Sequence, residues 1–279
     1  MEDGPFFTEE LLQQMNKFFI EEVALLRQLN NVEKLRIKQA YPLLVSIIDN
    51  SKSMSLLGNY NLINDMYMIA RSYVERMVNF LYLQVCDEDD FNSFQLHTTQ
   101  KAYRRLERSI ATTKGKVSIA YTGKDQVSLP NLEEAINRFT SKSGKEITHW
   151  TPVSLDKRIE IISERSKIKP SIMLMCKLNI YEDASEALHG TLYGFLFHLG
   201  VFSPGTKLSD PNDLLQHYTS LKTTIFWTCG LLTHDLFTLI NEKHSDIEDI
   251  YIKSNEFTKI AINEMKKAAK YNEETKGFD

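Results

Sequence analysis

The stretch Asn59–Val85, NYNLINDMYMIARSYVERMVNFLYLQV, decides the fold. It holds no Pro and no Gly, and its apolar residues recur every three or four positions. That period is the mark of an α-helix. A helix apolar over most of its circumference must be surrounded by other helices. The acids Asp87-Glu88-Asp89-Asp90 close the stretch.

Working outward, Thr8–Gln39 carries the same period, with Leu11, Met15, Phe18, Phe19, Glu22, Leu25, Leu26 and Leu29 on one broad face. A shorter helix is expected over Tyr41–Asn50, with Pro42 in its first turn, and the Ser-rich Asp49–Ser55 reads as a connection. Beyond the acids, His97–Ala111 reads as a helix. From Thr112 to Trp150 the pattern is punctuated by Gly115, Gly123, Pro130 and Gly144. This region reads as an insertion, with a short helix at Asn131–Thr140 and a possible hairpin pairing Val117–Tyr121 with Gln126–Leu129. Further helices are expected at Ser154–Ser166, from Pro170 to Leu199, from Ser209-Asp210-Pro211 to Glu242, and at Ser245–Ala269. The reading is an all-α antiparallel bundle of seven or eight helices. It divides into N-terminal helices (1–55), a core (56–111 and 151–205), the insertion (112–150) and a C-terminal helical pair (206–279).

Composition narrows the function. The 279 residues hold 33 Lys and Arg against 37 Asp and Glu, a net charge of −4. Bulk electrostatic binding of nucleic acid is excluded, and only a local patch can do it. The start, Met1-Glu2-Asp3-Gly4, lacks an apolar signal core, and no apolar run reaches the ~20 residues of a bilayer span. A cytoplasmic location with no membrane contact is expected. Cys86, Cys176 and Cys229 lie far apart in apolar runs, so free buried thiols are expected. No Walker loop, Rossmann fingerprint, G-x-S-x-G or H-E-x-x-H occurs. No cofactor is expected.

Polar residues in the two most apolar helices carry the chemical reading. Asn64, Arg71, Glu75 and Tyr82 form one stripe, and Arg71 and Glu75, at i and i+4, are spaced to pair. Glu182, Ser185, Glu186, His189 and Tyr193 form another. An unpaired charge in a core costs several kcal/mol, so the simplest arrangement turns both stripes into one cleft. His189 would carry protons there, with Glu182 or Glu186 fixing its tautomer, Arg71 holding an anion, and Gly190 admitting a ligand closely. The structural alternative is a buried Arg–Glu pair with a bonded histidine. A metal alternative uses Glu186-x-x-His189 with Glu75 and Glu182, in the manner of di-iron bundles; a second E-x-x-H, Glu146 to His149, falls outside a helix. Lys101, Arg104, Arg105 and Arg108 form a basic stripe suited to nucleic-acid phosphates, or simply a solvated face. His217, His234 and His244 lack ligand spacing, and Phe6-Phe7, Phe18-Phe19 and Met66, Met68 and Met77 read as core.

The order Arg71-x-x-x-Glu75, then His149-Trp150-Thr151-Pro152, then Tyr181-x-x-x-Ser185-x-x-x-His189-Gly190 resembles a widespread bacterial helical family whose domain has no assigned function. The resemblance runs from about Asn59 to Leu199. That family is in turn similar to the HEPN group of α-bundle proteins, often RNA-cutting toxins or antiviral effectors that dimerise. The HEPN mark is R-x(4–6)-H at one helix start. Here Glu182, Asp183 and Ser185 stand where the arginine would, and Arg71 could serve only from another helix. The resemblance implies a metal-independent ribonuclease in defence or as a toxin, acting on RNA as a homodimer. In it His189 is acid or base, Arg71 stabilises phosphate charge, Glu75 and Glu182 orient them, and Ser185 and Glu186 line the site. The competing expectations are a non-catalytic module that binds a nucleotide or a partner, and a metal-dependent bundle enzyme.

Overall fold

A computed structural model describes residues 7–123, 127–202 and 210–276. Phe6, Gln126 and Ser209, which the sequence reading used, lie outside them. Helix accounts for 74% of the described residues and strand for 6%, so the all-α expectation holds at that level. Ten helices are present among the described residues, more than the expected seven or eight. They are α1 (Glu9–Leu26), α2 (Leu35–Asn59), α3 (Ile63–Val85), α4 (Glu88–Arg104), α5 (Leu132–Arg138), α6 (Leu155–Glu164), α7, α8 (Leu192–His198), α9 (Pro211–Lys243) and α10 (Glu248–Lys276). Helix α7 is continuous from Ser171 to Leu188 and holds a π-helical segment, Lys177–Glu182.

Several boundaries moved for identifiable reasons. Helix α2 runs straight through Pro42 and through the supposed connection Asp49–Ser55. Ile37, Ala40, Leu44, Ile47, Ser51 and Met54 keep a buried period across both, so packing overrides local propensity. The four acids start a helix as well as ending one. The Asp87 side chain accepts from the Asp90 N–H, and Glu88, Asp89 and Asp90 fill the first turn of α4, where the helix dipole favours them. Helix α4 stops at Arg104. Residues expected to continue it form strand β1 (Glu107–Thr112), antiparallel to β2 (Gly115–Ala120). A hairpin therefore exists, but its strands meet at Thr113-Lys114, and the expected strand Val117–Tyr121 coincides with β2 through Ala120 and pairs backward with β1.

The chain folds as two compact units. The larger comprises Met1–Val85 with Leu155–Asp279. Within it α3 packs on α2, α6, α7 and α9, and α9 packs on α1 and α10. Phe19 sits between the rings of Tyr73 and Phe226, at 5.5 and 5.6 Å between centroids. Tyr73 and Thr233 share a hydroxyl hydrogen bond of 2.5 Å inside this core. A Cβ on Gly230 would come within 2.4 Å of the Phe18 ring, so glycine sets the close approach of α1 and α9. The three cysteines are free and buried here and at the chain's exit from α3. The smaller unit, Cys86–Ser154, takes in α4, the hairpin and α5, and so begins well before the expected insertion at 112. Leu96, Ala135 and Phe139 form its apolar centre. Among the described residues no helix is long and apolar enough to cross a membrane.

Candidate functional site

Helices α3 and α7 do pack together. Their polar stripes, however, do not converge. Met173, Cys176, Ile180 and Ala184 form the buried face of α7. Glu182, Glu186 and His189 lie on the opposite side, exposed to water. Glu182 faces Lys177 at 3.5 Å. The Ser185 hydroxyl donates to the Tyr181 carbonyl one turn back, at 2.6 Å. Glu186 accepts from the Thr191 hydroxyl at 3.0 Å. The stripe read as a cleft lining is thus largely the solvated face of α7.

Arg71 meets a different residue from the one expected. Its Nη2 donates to the Tyr181 hydroxyl at 3.3 Å, and its guanidinium lies over the Tyr181 ring, 4.5 Å from the centroid. This is a cation–π contact within the π-helical segment, a kind of irregularity often found at functional sites. Arg71 Nη1 is buried and has no hydrogen-bond partner among the described residues. Half-buried Glu75 forms no ion pair with it among the described residues. His189 lies eight residues beyond Tyr181, about 12 Å along the helix axis. Arg71 and His189 are therefore not brought together.

The His189-Gly190 pair ends a helix. Gly190 has φ +67°, its N–H donates to Ala187, and the Thr191 N–H donates to Glu186. This is the Schellman closure, and only glycine enters that left-handed conformation without strain. Among the described residues nothing lies within 4 Å of a Cβ at this position, so no neighbouring backbone calls for the glycine and the turn does. The metal set Glu75, Glu182, Glu186 and His189 is not gathered, and among the described residues no cluster of three or more His, Cys, Asp or Glu could hold an ion.

Two buried polar networks escaped the sequence reading. Asn64 Oδ1 accepts from His198 Nδ1 at 3.1 Å, and the His198 ring lies 4.5 Å from that of Tyr67. Burial lowers His198 to about 4. In the second, Ser254 donates to Glu22 at 2.7 Å, Thr258 donates to its other oxygen at 3.2 Å, and His234 Nδ1 lies 2.7 Å from Ser254 Oγ. When Glu22 is ionised and accepts from Ser254, the Ser254 oxygen is left to accept from His234 Nδ1. Burial outweighs both hydroxyl bonds and pushes Glu22 up to about 8. The signal was visible: Glu22 is a carboxylate inside the apolar stripe of α1.

The basic stripe divides in two. Lys101 pairs with Glu146 at 2.5 Å, and the Lys101 hydrogen bond holds that carboxyl below its usual range. Arg104 donates to Gln100 at 2.8 Å and to Thr140 at 2.6 Å. These two cations brace α4 against the segment after α5. Arg105 caps α4, and Arg108 lies on β1 and not on the helix. Arg105, Arg108, Lys114 and Lys116 are all exposed, and their side chains have no partner among the described residues. Residues 101–123 hold six cations, Lys101, Arg104, Arg105, Arg108, Lys114 and Lys116, against the single acid Glu107, a net of +5 in a chain of net −4.

The hairpin is amphipathic in an unusual sense. Arg108 faces Ile119 and Ile110 faces Val117, so these four share one side. Ile110, Val117 and Ile119 are 76, 70 and 61% exposed. The same side opens on a cleft of about 690 Å³, whose other walls include Tyr103, Arg104, Ile136 and Glu146.

The sequence profile of one family, described as a family of unknown function, matches residues 39–206, more than half of the chain. The chain belongs to DUF5677. The DUF5677 match spans Arg71, Glu75, Trp150, Tyr181, Ser185 and His189, together with the whole hairpin unit. The helices α1, α9 and α10, which hold the Glu22 network, lie outside it. No curated protein and no solved structure matches this DUF5677 chain.

Proposed function

We propose that this DUF5677 protein is a nucleic-acid-binding module, non-catalytic at the contact surface, and that RNA reaches it through residues 101–123. One observation carries the reading: Arg105, Arg108, Lys114 and Lys116 are exposed cations with no internal partner among the described residues, on a limb of net +5. Cations left unpaired on a projecting ribbon gain most from phosphates, whose condensed counterions they release. Titration of a labelled RNA by fluorescence anisotropy at 50 and 200 mM salt tests it. Each lost contact should flatten the slope of log K against log salt by about 0.7. Arg105→Ala with Arg108→Ala should therefore flatten it by about 1.4 and weaken binding. No binding at 50 mM salt, or an unchanged slope, overturns the reading.

A second reading keeps the catalytic expectation. It has one observation in its favour: His189 is open to solvent and so within reach of a substrate. It requires His189 to act without Arg71, which stacks on Tyr181. In this reading the protein is a metal-independent ribonuclease, a toxin or antiviral effector of the HEPN kind. RNA cleavage in EDTA that disappears in His189→Ala would establish it, and equal or absent cleavage by both proteins removes it. The homodimer implied by that likeness would have the exposed Leu188, Leu192 and Phe195 to bury.

A further inference from the structure

We infer that the limb takes single-stranded nucleic acid, with unpaired bases lying on the apolar side of the hairpin and over the cleft beside it. This rests on the nucleic-acid reading above and narrows it. A duplex hides the faces of its bases and presents phosphates, so it would engage the cations and leave Ile110, Val117 and Ile119 in water. A single strand brings both chemistries at once: phosphates at regular spacing, and flat apolar base faces free to cover apolar side chains.

The placement of residues suits that ligand. Arg104 and Arg105 stand where α4 ends, Lys114 stands in the turn, and Arg108 sits within the apolar side itself. Cations thus frame the apolar side at both ends. A six-residue strand is about 20 Å long. At ~3.4 Å per stacked nucleotide that accommodates about six nucleotides. The cleft of about 690 Å³ has the size of a small-molecule site. Its walls combine Ile110, Val117, Ile119, Ile136 and Tyr103 with Arg104 and Arg108. Of the acids on its wall, Glu107 and Glu146, the second already pairs with Lys101. A base can enter the apolar part while its phosphate remains at the arginines.

The test uses the full chain and a labelled 12-nucleotide strand, as RNA and as DNA, each alone and annealed to its complement. The single strands should bind at least tenfold more tightly than the duplexes. Ile110→Ser with Val117→Ser should weaken single-strand binding at least tenfold, leaving duplex binding and the salt slope unchanged. Both side chains are exposed, so the fold is not at stake, and circular dichroism checks this. Equal or tighter duplex binding, or single-strand binding unaffected by the double substitution, overturns the inference and leaves the broader reading standing. Failure of both strands and duplexes to bind, with an acidic amphipathic peptide binding instead, overturns both and makes the limb a protein-docking surface.

Discussion

Ile37, Ile47 and Ile180 in the larger unit have no exposure at all, while Ile110, Val117 and Ile119 in the smaller one face water. The charged groups divide in the same way. In the larger unit Arg71 lies on Tyr181, Glu22 is enclosed by Ser254 and Thr258, and Lys222 donates to Asn61 at 2.9 Å. On the hairpin, Arg108 and Lys116 have no partner among the described residues. A lone two-stranded hairpin is marginal in water, and this one gains little from burial of its own side chains. The contrast places stability in the helices, and the proposed function places recognition on the ribbon.

The largest expected effect tests that division directly. Phe19→Ala removes a fully buried ring from between Tyr73 and Phe226 and should cost about 3–5 kcal/mol in urea unfolding. Ile110→Ser should change stability by no more than about 0.5 kcal/mol. Comparable losses from both would break the comparison.

Next comes the pH dependence of the larger unit. Glu22 is raised from 4.5 to about 8 by burial, so it binds its proton more tightly folded than unfolded. Its contribution to stability is full below about pH 4.5 and is lost as pH rises through 8. His234 works in the opposite direction. Burial lowers it from 6.5 to about 4, so its contribution is present above 6.5 and is lost as pH falls through 4. Glu22→Gln should therefore reduce the loss of stability between pH 5 and 9 by a few kcal/mol and leave the acid limb as it is. Asp235, raised to about 7 by burial, and Asp183, raised to about 6, preserve part of the alkaline slope in the variant. Identical pH profiles for the two proteins would show that Glu22 is already ionised in the fold.

Gly190→Ala is expected to cost about 1 kcal/mol, because φ is +67° there and the site is otherwise open. His189→Ala, on an exposed cap, should cost far less. A large loss from His189→Ala together with none from Gly190→Ala would mean that the histidine has a partner and the cap is incidental.

What the sequence made legible follows from how far each interaction reaches along the chain. The period of Asn59–Val85 is local, and helix α3 follows it closely. Asp210 and Pro211 start α9 as capping chemistry requires. Side-chain orientation is not local. Glu182, Ser185, Glu186 and His189 share a stripe whether that stripe faces a cleft or water, and only the packing of Met173, Cys176, Ile180 and Ala184 decides which. The π-helical segment at Lys177–Glu182, where Tyr181 meets Arg71 on α3, leaves no mark in the hydrophobic period. The strand at Glu107–Thr112 is not legible because its one cation, Arg108, continues the spacing of Lys101, Arg104 and Arg105 on α4, while Ile110, Val117 and Ile119 supply the β-branched residues that favour a ribbon.

The smallest effect separates the two halves of the basic stripe. Lys101 is tied to Glu146 inside the smaller unit, and Arg108 is tied to nothing among the described residues. Lys101→Ala should lower the stability of that unit by about 0.5–1 kcal/mol, as for other partly exposed ion pairs. It should leave the salt slope of RNA binding unchanged, because its charge is already balanced by a carboxylate. Arg108→Ala should do the reverse, with no measurable change in unfolding and a slope flatter by about 0.7. Because Glu146 is held below its usual range by Lys101, the stability that this pair contributes is present above about pH 4.5 and fades as the pH falls further. Measuring both variants by urea unfolding and by anisotropy gives four numbers. If Lys101→Ala changes the slope and Arg108→Ala changes the unfolding, the assignment of bracing to α4 and of recognition to the ribbon is inverted.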